Sequence, residues 1–185
     1  MAAEAFEALV RQNREPLYRG AYRLTGNHED AQDLLQEALV EAYAAFSRFQ
    51  MGTHFTRWVM RIMTRTFIDR TRRRPPFVVQ SLDEPRATAE GDRSGYEVPD
   101  SRLDPEGEMV QEMLEEPLQE ALTALPPEFR LAIVLCDVQG MTYEEAARAA
   151  RCPVGTIRSR LHRARAMVRR ALGPSLRAVY GRGEG

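Results

Sequence analysis

The 185-residue sequence contains no lysine and only two cysteines. All 26 basic residues are therefore arginine, whose flat guanidinium suits paired hydrogen bonds to phosphate and guanine. Genome composition explains the same usage, so this feature carries little functional weight. Cys136 and Cys152 are too few for a disulfide framework, and no CxxC spacing points to zinc. We expect structural thiols, no metal and no cofactor.

Long apolar runs are also missing. None approaches the roughly 20 residues needed to cross a bilayer. No positively charged start followed by an apolar segment marks the chain for export. The expectation is a cytoplasmic protein without direct membrane insertion.

The charges are segregated along the chain, although the formal net charge is only -1. Residues 57–74 hold seven arginines and one acid, and residues 148–170 hold eight arginines and no acid. Between them, residues 83–116 hold twelve acids and three arginines. Like charges repel unless an anion lies near, so the two basic blocks favour contact with nucleic acid.

Apolar residues recur at helical spacing in both halves, which predicts an all-α chain of two small helical domains. A first helix covers residues 3–14, and Pro16 is placed to begin a second that ends at Gly26. A flexible acidic linker rich in Pro, Gly and Ser separates the halves. The predicted boundaries are 1–76 for the first domain, 77–112 for the linker, 113–175 for the second domain and 176–185 for a tail.

The third predicted helix starts after Asn27 as N-cap, and its apolar stripe is Ala31, Leu34, Leu35, Ala38 and Tyr43. Its outer face is acidic and would repel DNA. The fourth predicted helix carries Arg57, Arg61 and Arg65 four residues apart, beside an apolar stripe. Four nearby aromatic residues are candidate stacking surfaces for unpaired bases: Phe46, Phe49, Phe55 and Trp58. Helical spacing favours a packing role for Phe55 and Trp58.

Residues 141–170 have the layout of a helix-turn-helix. Thr142 and Glu145 predict a capping box for a short helix, and Pro153 is placed to start a longer one after a tight turn. Ile157, Leu161 and Ala164 would face the domain core. The remaining positions, which would share the solvent and groove faces, are Thr156, Arg158, Ser159, Arg160, His162 and Arg163. A solvated helix on a bundle is the alternative, which the eight acid-free arginines disfavour.

Six strings carry a family resemblance: DAQDLLQE (30–37), FTRWVMRI (55–62), IDRTRRR (68–74), ALPPEFR (124–130), GMTYEEA (140–146) and CPVGTIRSRLHRAR (152–165). The first three resemble region 2, and the last three region 4, of the extracytoplasmic-function (ECF, group IV) sigma factors of bacterial RNA polymerase. The resemblance implies promoter recognition, DNA melting and initiation at a stress or envelope-response regulon.

The resemblance also implies partners and site residues. An acidic face would dock on the beta-prime clamp helices of core RNA polymerase: Asp30, Asp33, Gln36 and Glu37. The minus-10 element of promoter DNA would be captured by Arg57, Arg61, Thr64, Arg65, Asp69, Arg70, Arg72 and Arg73. The minus-35 duplex would be read, beside a beta-flap contact, by Pro153, Val154, Thr156, Arg158, Ser159, Arg160, His162 and Arg163. An anti-sigma factor is an expected partner that would cover one or both domains.

Two positions depart from the family pattern. Arg65 stands where members often carry Asn, which changes the expected base pocket. Arg151 stands where many have Gly in the helix-turn-helix turn, and it must accept an unusual backbone angle or a different turn.

Two other functions remain open from the residues. One is a regulator that binds only duplex DNA and carries an N-terminal dimerisation or sensor module. The other is a nucleic-acid enzyme, which is weak because no nucleophile elbow, P-loop, HExxH or paired metal carboxylates occur. The three histidines, His28, His54 and His162, share no evident site.

Overall fold

The computed structural model describes residues 2–73 and 115–180, and every regular element in those ranges is helical. The first domain consists of α1 (Ala2–Thr25), α2 (His28–Ala44), a short 3-10 turn (Phe46–Arg48) and α3 (Phe55–Arg73). This confirms the prediction of two small helical domains. The predicted linker at 77–112 lies outside the described residues.

The second domain begins in α4, which is described over residues 115–123. It continues with α5 (Pro127–Ile133), a π-helical turn (Val134–Val138), α6 (Tyr143–Ala150) and α7 (Val154–Tyr180). The last helix therefore extends five residues beyond the predicted domain end at 175.

Helix α1 is continuous, and the predicted break at Pro16 is wrong. A proline inside a helix removes one backbone donor and crowds the preceding turn, which costs about 3 kcal/mol. Leu17, Ala21 and Leu24 are fully buried beyond the proline, so packing holds the helix together. The helix ends where Gly26 takes a φ of +84°.

Helix α2 begins as its sequence predicts, since the Asn27 side chain accepts a hydrogen bond from the Asp30 N–H at 2.8 Å. Its buried face differs from the prediction at one position. Ala42 is buried, whereas Tyr43 is 54% exposed and only packs against the ring of Phe6. The tyrosine lies one position beyond the stripe that faces α1 and α3.

The two domains pack against each other across a continuous apolar core. The guanidinium of Arg130, in the last turn of α5, donates to the carbonyls of Leu24 at 2.8 Å, Thr123 at 2.6 Å and Leu125 at 3.1 Å. It thus closes the C-terminus of α1 and the α4–α5 turn together. A Cβ on Gly26 would lie 2.6 Å from the Thr123 hydroxyl oxygen, so a side chain there would push the domains apart.

Candidate nucleic-acid interface

The N-terminal half of α7 separates a buried face from a free one. Ile157, Leu161 and Ala164 are at most 1% exposed and anchor the helix on α5 and α6. The opposite face is open to solvent at Pro153, Arg158, Ser159, His162 and Arg163, whereas Val154, Thr156 and Arg160 are half-buried. All eight predicted minus-35 positions therefore lie at or beside the outer surface of the second helix of a helix-turn-helix.

Two residues outside the predicted set hold arginines of α7 in place. Asp137 accepts two hydrogen bonds from Arg165, at 2.9 and 2.7 Å. This carboxylate raises the pKa of Arg165, and the Tyr143 hydroxyl contributes in the same direction. The guanidinium carbon of Arg158 lies 5.7 Å from the centroid of the Tyr143 ring, a cation–π contact. In this structure the Arg158 guanidinium therefore lies over the Tyr143 ring.

The turn between α6 and α7 confirms the unusual backbone angle expected at Arg151. This residue is the C-cap of α6 and has φ 53° and ψ 46°, the left-handed region that favours glycine. The capping box at the other end of α6 is also present. Glu145 N–H donates to the Thr142 hydroxyl at 3.2 Å, and Thr142 N–H donates to the Glu145 carboxylate at 3.0 Å. The Thr142 N-cap and the Arg151 C-cap therefore define the two ends of α6.

The minus-10 residues predicted on α3 do not all share one surface. Arg61, Arg65, Asp69, Arg72 and Arg73 are exposed, and Arg57 and Arg70 are half-buried. The prediction for Thr64 is corrected by its burial: its side chain is 0% exposed and donates to the Met60 carbonyl at 2.8 Å. Its hydroxyl therefore lies inside the helix and not on the α3 surface.

The candidate stacking aromatics form part of the first domain's core. Phe49 and Phe55 are buried, and their rings meet edge to face at a centroid distance of 5.5 Å. Trp58 packs 5.0 Å from Phe49, and the ring of Phe46 lies 5.1 Å from that of Phe6. The packing role predicted for Phe55 and Trp58 is confirmed, and it extends to Phe49.

The acidic face of α2 is open to solvent at Asp33, Gln36 and Glu37, and Asp30 is half-buried. Glu37 is not free, because its carboxylate pairs with Arg70 of α3 at 2.6 Å. The predicted polymerase-facing residue and the predicted DNA-facing residue are therefore bonded to each other. Surface pairs of this kind contribute only about 0–1 kcal/mol, so a competing partner separates them easily.

Sequence reasoning missed the contacts that cross between the domains. Arg57 donates to the carbonyl of Gly140 at 3.3 Å, and Arg61 lies 3.4 Å from the Glu145 carboxylate. The pKa of Glu145 is lowered, first by the hydrogen bond from the Thr142 backbone and further by Arg57 and Arg61. No local pattern signals these contacts, since more than 80 residues separate the partners in sequence.

Within residues 2–73 and 115–180, no three His, Cys, Asp or Glu side chains lie close enough together to hold a metal ion. None of the described helices is both long and apolar enough to cross a membrane. The described residues instead form two arginine-bearing surfaces, one on the outer face of α7 and one along α3.

Comparison with known proteins assigns both halves. Residues 9–75 match the family model of Sigma-70 region 2, and residues 115–168 match that of Sigma-70, region 4. The chain is also 31% identical to the ECF RNA polymerase sigma factor SigW of Bacillus subtilis, over 91% of this chain and 89% of the relative. The chain belongs to the ECF sigma factors of the sigma-70 family.

Two further proteins are similar to this sigma factor over most of its length. It is 41% identical to the ECF RNA polymerase sigma factor SigE of Mycolicibacterium smegmatis, over 91% of this chain but only 62% of SigE. The solved RpoE of Bartonella quintana, in complex with the anti-sigma factor NepR, superposes with a TM-score of 0.62 at 27% identity, covering 92% of this chain and 98% of RpoE. The helix-turn-helix of the sigma factor is thus its region 4, and the basic stripe of α3 belongs to region 2.

Proposed function

We propose that this sigma factor binds core RNA polymerase, recognises the minus-35 and minus-10 elements of promoter DNA, and helps to melt the start site. The observation that carries the proposal is the outer face of α7, where Arg158 and Arg163 are exposed on a helix whose opposite side is buried. A helix presented in this way fits the major groove, where arginine reads guanine through O6 and N7.

The minus-35 duplex is the proposed ligand of α7. Arg158, held over Tyr143, is directed before DNA arrives, which reduces the entropy lost on binding. Arg165 serves a different purpose, since Asp137 keeps it in an internal ion pair. We assign base or phosphate contact to the exposed residues of this helix and a positioning role to Arg165.

The minus-10 element is the proposed ligand of α3. Arg65, Arg72 and Arg73 present their charge to solvent along this helix, as backbone binding requires, and Arg61 is exposed beside its Glu145 partner. Arg65 replaces the Asn often found in the family and brings a cation to the base pocket, so its preference is expected to differ. Thr64 is left out of this surface because it is buried.

The beta-prime clamp helices are the proposed partner of the acidic face, and the beta flap that of the second domain. Asp33 and Glu37 offer exposed carboxylates to a basic protein surface. Engaging Glu37 in this way would release Arg70 from their 2.6 Å contact, and Arg70 would then be available to DNA. In this proposal the polymerase performs the covalent chemistry. Because the sigma factor binds core polymerase, we also propose that it acts in the cytoplasm.

An anti-sigma factor is the proposed regulator, supported by the likeness to RpoE solved with NepR. Such a partner would cover the acidic face, the outer face of α7, or both. Co-expression with proteins encoded beside the gene, followed by a core-binding competition assay, tests this. If every neighbour left the affinity for core polymerase unchanged, the regulatory part of the proposal would be lost.

The minus-35 assignment is tested by alanine substitution at two positions of α7. Arg158→Ala and Arg163→Ala are expected to weaken promoter binding by the reconstituted holoenzyme about five- to 150-fold each, the range for an arginine that reads a base. Arg169→Ala is the matched control, exposed on the same helix about 16 Å beyond Arg158. Equal losses for all three variants would show that α7 contributes charge alone, and no loss would remove the assignment.

A further inference from the structure

The second domain covers one end of the basic stripe on α3. Arg57 Nη2 donates to the Gly140 carbonyl at 3.3 Å, and Arg61 Nη2 lies 3.4 Å from Glu145 Oε1. Gly140 lies two residues before the Thr142 N-cap of α6, and Glu145 lies in the first turn of that helix. Arg65, one helical turn further along α3, is exposed and bonds to no residue in the described ranges. The part of α3 that is covered by the second domain therefore ends between Arg61 and Arg65.

Contacts at the other end of the domain interface hold this cover in place. Gln119 of α4 donates to the carbonyl of Tyr22 at 3.2 Å and accepts from Arg23 at 3.3 Å. Arg23 is only 8% exposed, and burial is the main cause of its lowered pKa. An arginine buried in this way needs its partners, so the two domains meet over a defined surface.

The oxygen atoms that meet the stripe resemble those of a nucleic-acid backbone in charge and hydrogen bonding. The Glu145 carboxylate accepts from Thr142 N–H through Oε2, which leaves Oε1 directed at Arg61. The capping box therefore fixes a negative oxygen beside the arginine before any ligand arrives. The Gly140 carbonyl adds a second acceptor for Arg57. Phosphate oxygens would make the same contacts.

We propose that, in the free chain, the segment from Gly140 to the first turn of α6 takes the place of promoter DNA, with Gly140 bound by Arg57 and Glu145 by Arg61. Single-stranded DNA then gains the full stripe only when the second domain moves away. This inference rests on the proposed function, because it takes α3 as the minus-10 surface. Any partner that separates the domains exposes both arginines together.

A charge-removing substitution tests the proposal without dismantling α6. Glu145→Gln deletes the ion pair, while glutamine still closes a capping box. Glu144→Gln is the matched control, since it removes the same charge one residue earlier from an exposed side chain. A third variant, Gln119→Leu, breaks the opposite end of the interface and leaves α6 and its charges unchanged.

The readouts are the affinity of the free chain for a fluorescein-labelled single-stranded DNA 15-mer of mixed sequence, and its radius of gyration from X-ray scattering. Loss of one surface ion pair predicts binding about two- to five-fold tighter for Glu145→Gln. Gln119→Leu is expected to change binding in the same direction, and both variants should increase the radius. Glu144→Gln should match the unsubstituted chain, and circular dichroism should show equal helicity throughout.

Equal affinity and an unchanged radius for Glu145→Gln and Glu144→Gln would overturn the masking proposal. Promoter-directed transcription by core polymerase with the unsubstituted chain separates this failure from failure of the proposed function. If transcription starts at defined sites and the two variants behave alike, only masking is lost. If Glu145→Gln binds more tightly but no defined start sites appear, the closed contact stands and the minus-10 assignment fails.

Discussion

Removal of the Arg130 guanidinium should destabilise the sigma factor more than removal of any exposed arginine. In Arg130→Met the side chain keeps an unbranched apolar stem but loses the guanidinium, so the carbonyls of Leu24, Thr123 and Leu125 lose a donor. Hydrogen bonds to a charged group contribute roughly 1.5–3 kcal/mol each, but they are not additive. Burial lowers the pKa of Arg130, because desolvation disfavours the charged guanidinium, and this cost offsets part of the gain. We expect a net loss of about 2–3 kcal/mol.

Urea unfolding followed by circular dichroism measures this loss directly. A change of 2–3 kcal/mol corresponds to a fall of about 4–12 °C in the melting temperature of a chain this long. Arg148→Met provides the control, because Arg148 is exposed on α6 and its substitution should change stability by less than about 0.5 kcal/mol. If the two methionine variants unfolded at the same urea concentration, the reasoning that Arg130 joins the domains through three carbonyls would be refuted.

Three further predictions concern α6 and its neighbours. Arg151→Gly should raise the free energy of unfolding by about 0.5–1 kcal/mol, because glycine relieves the left-handed strain. Arg148→Gly, inside α6, should lower the free energy of unfolding by about 1 kcal/mol. Urea melts in which both variants change stability in the same direction would contradict this reasoning. The lowered pKa of Glu145 means that its stabilisation is complete above the ordinary value of 4.5 and is lost as the pH falls through the lowered pKa. The stability difference between the unsubstituted chain and Glu145→Gln should therefore shrink below pH 4.5, and a constant difference would count against the contact. Burial raises the pKa of Cys136 to about 11, so its alkylation at pH 8, followed by mass spectrometry, should be on the order of 100-fold slower than that of a model thiol; an equal rate would show that the thiol is accessible.

The parts of the fold that depend on neighbouring residues were predictable from the sequence. Asn27 before α2 and the Thr142–Glu145 pair before α6 are local signals, since the bonding atoms lie within three residues of each other. The alternation of buried Ile157 and Leu161 with exposed Arg158 and His162 follows from helical periodicity in the same way. These features alone place the helix-turn-helix and its outer face.

The parts that depend on tertiary packing were not predictable. Pro16 was expected to begin a helix, because its cost is visible in the sequence while the burial of Leu17 and Leu24 that offsets it is not. Motif position predicts Thr64 on the DNA surface, yet its burial depends on how α3 rotates against the rest of the core. The Arg61–Glu145 contact joins residues 84 positions apart, beyond the reach of any local rule.

Transcription from genomic DNA by purified core RNA polymerase, with and without the sigma factor, tests the central claim most directly when transcript 5′ ends are mapped. We predict that adding the chain directs starts to a defined set of promoters that share two elements, and that Arg158→Ala weakens starts that depend on the upstream one. Binding to core polymerase without any change in where transcripts begin would contradict the account.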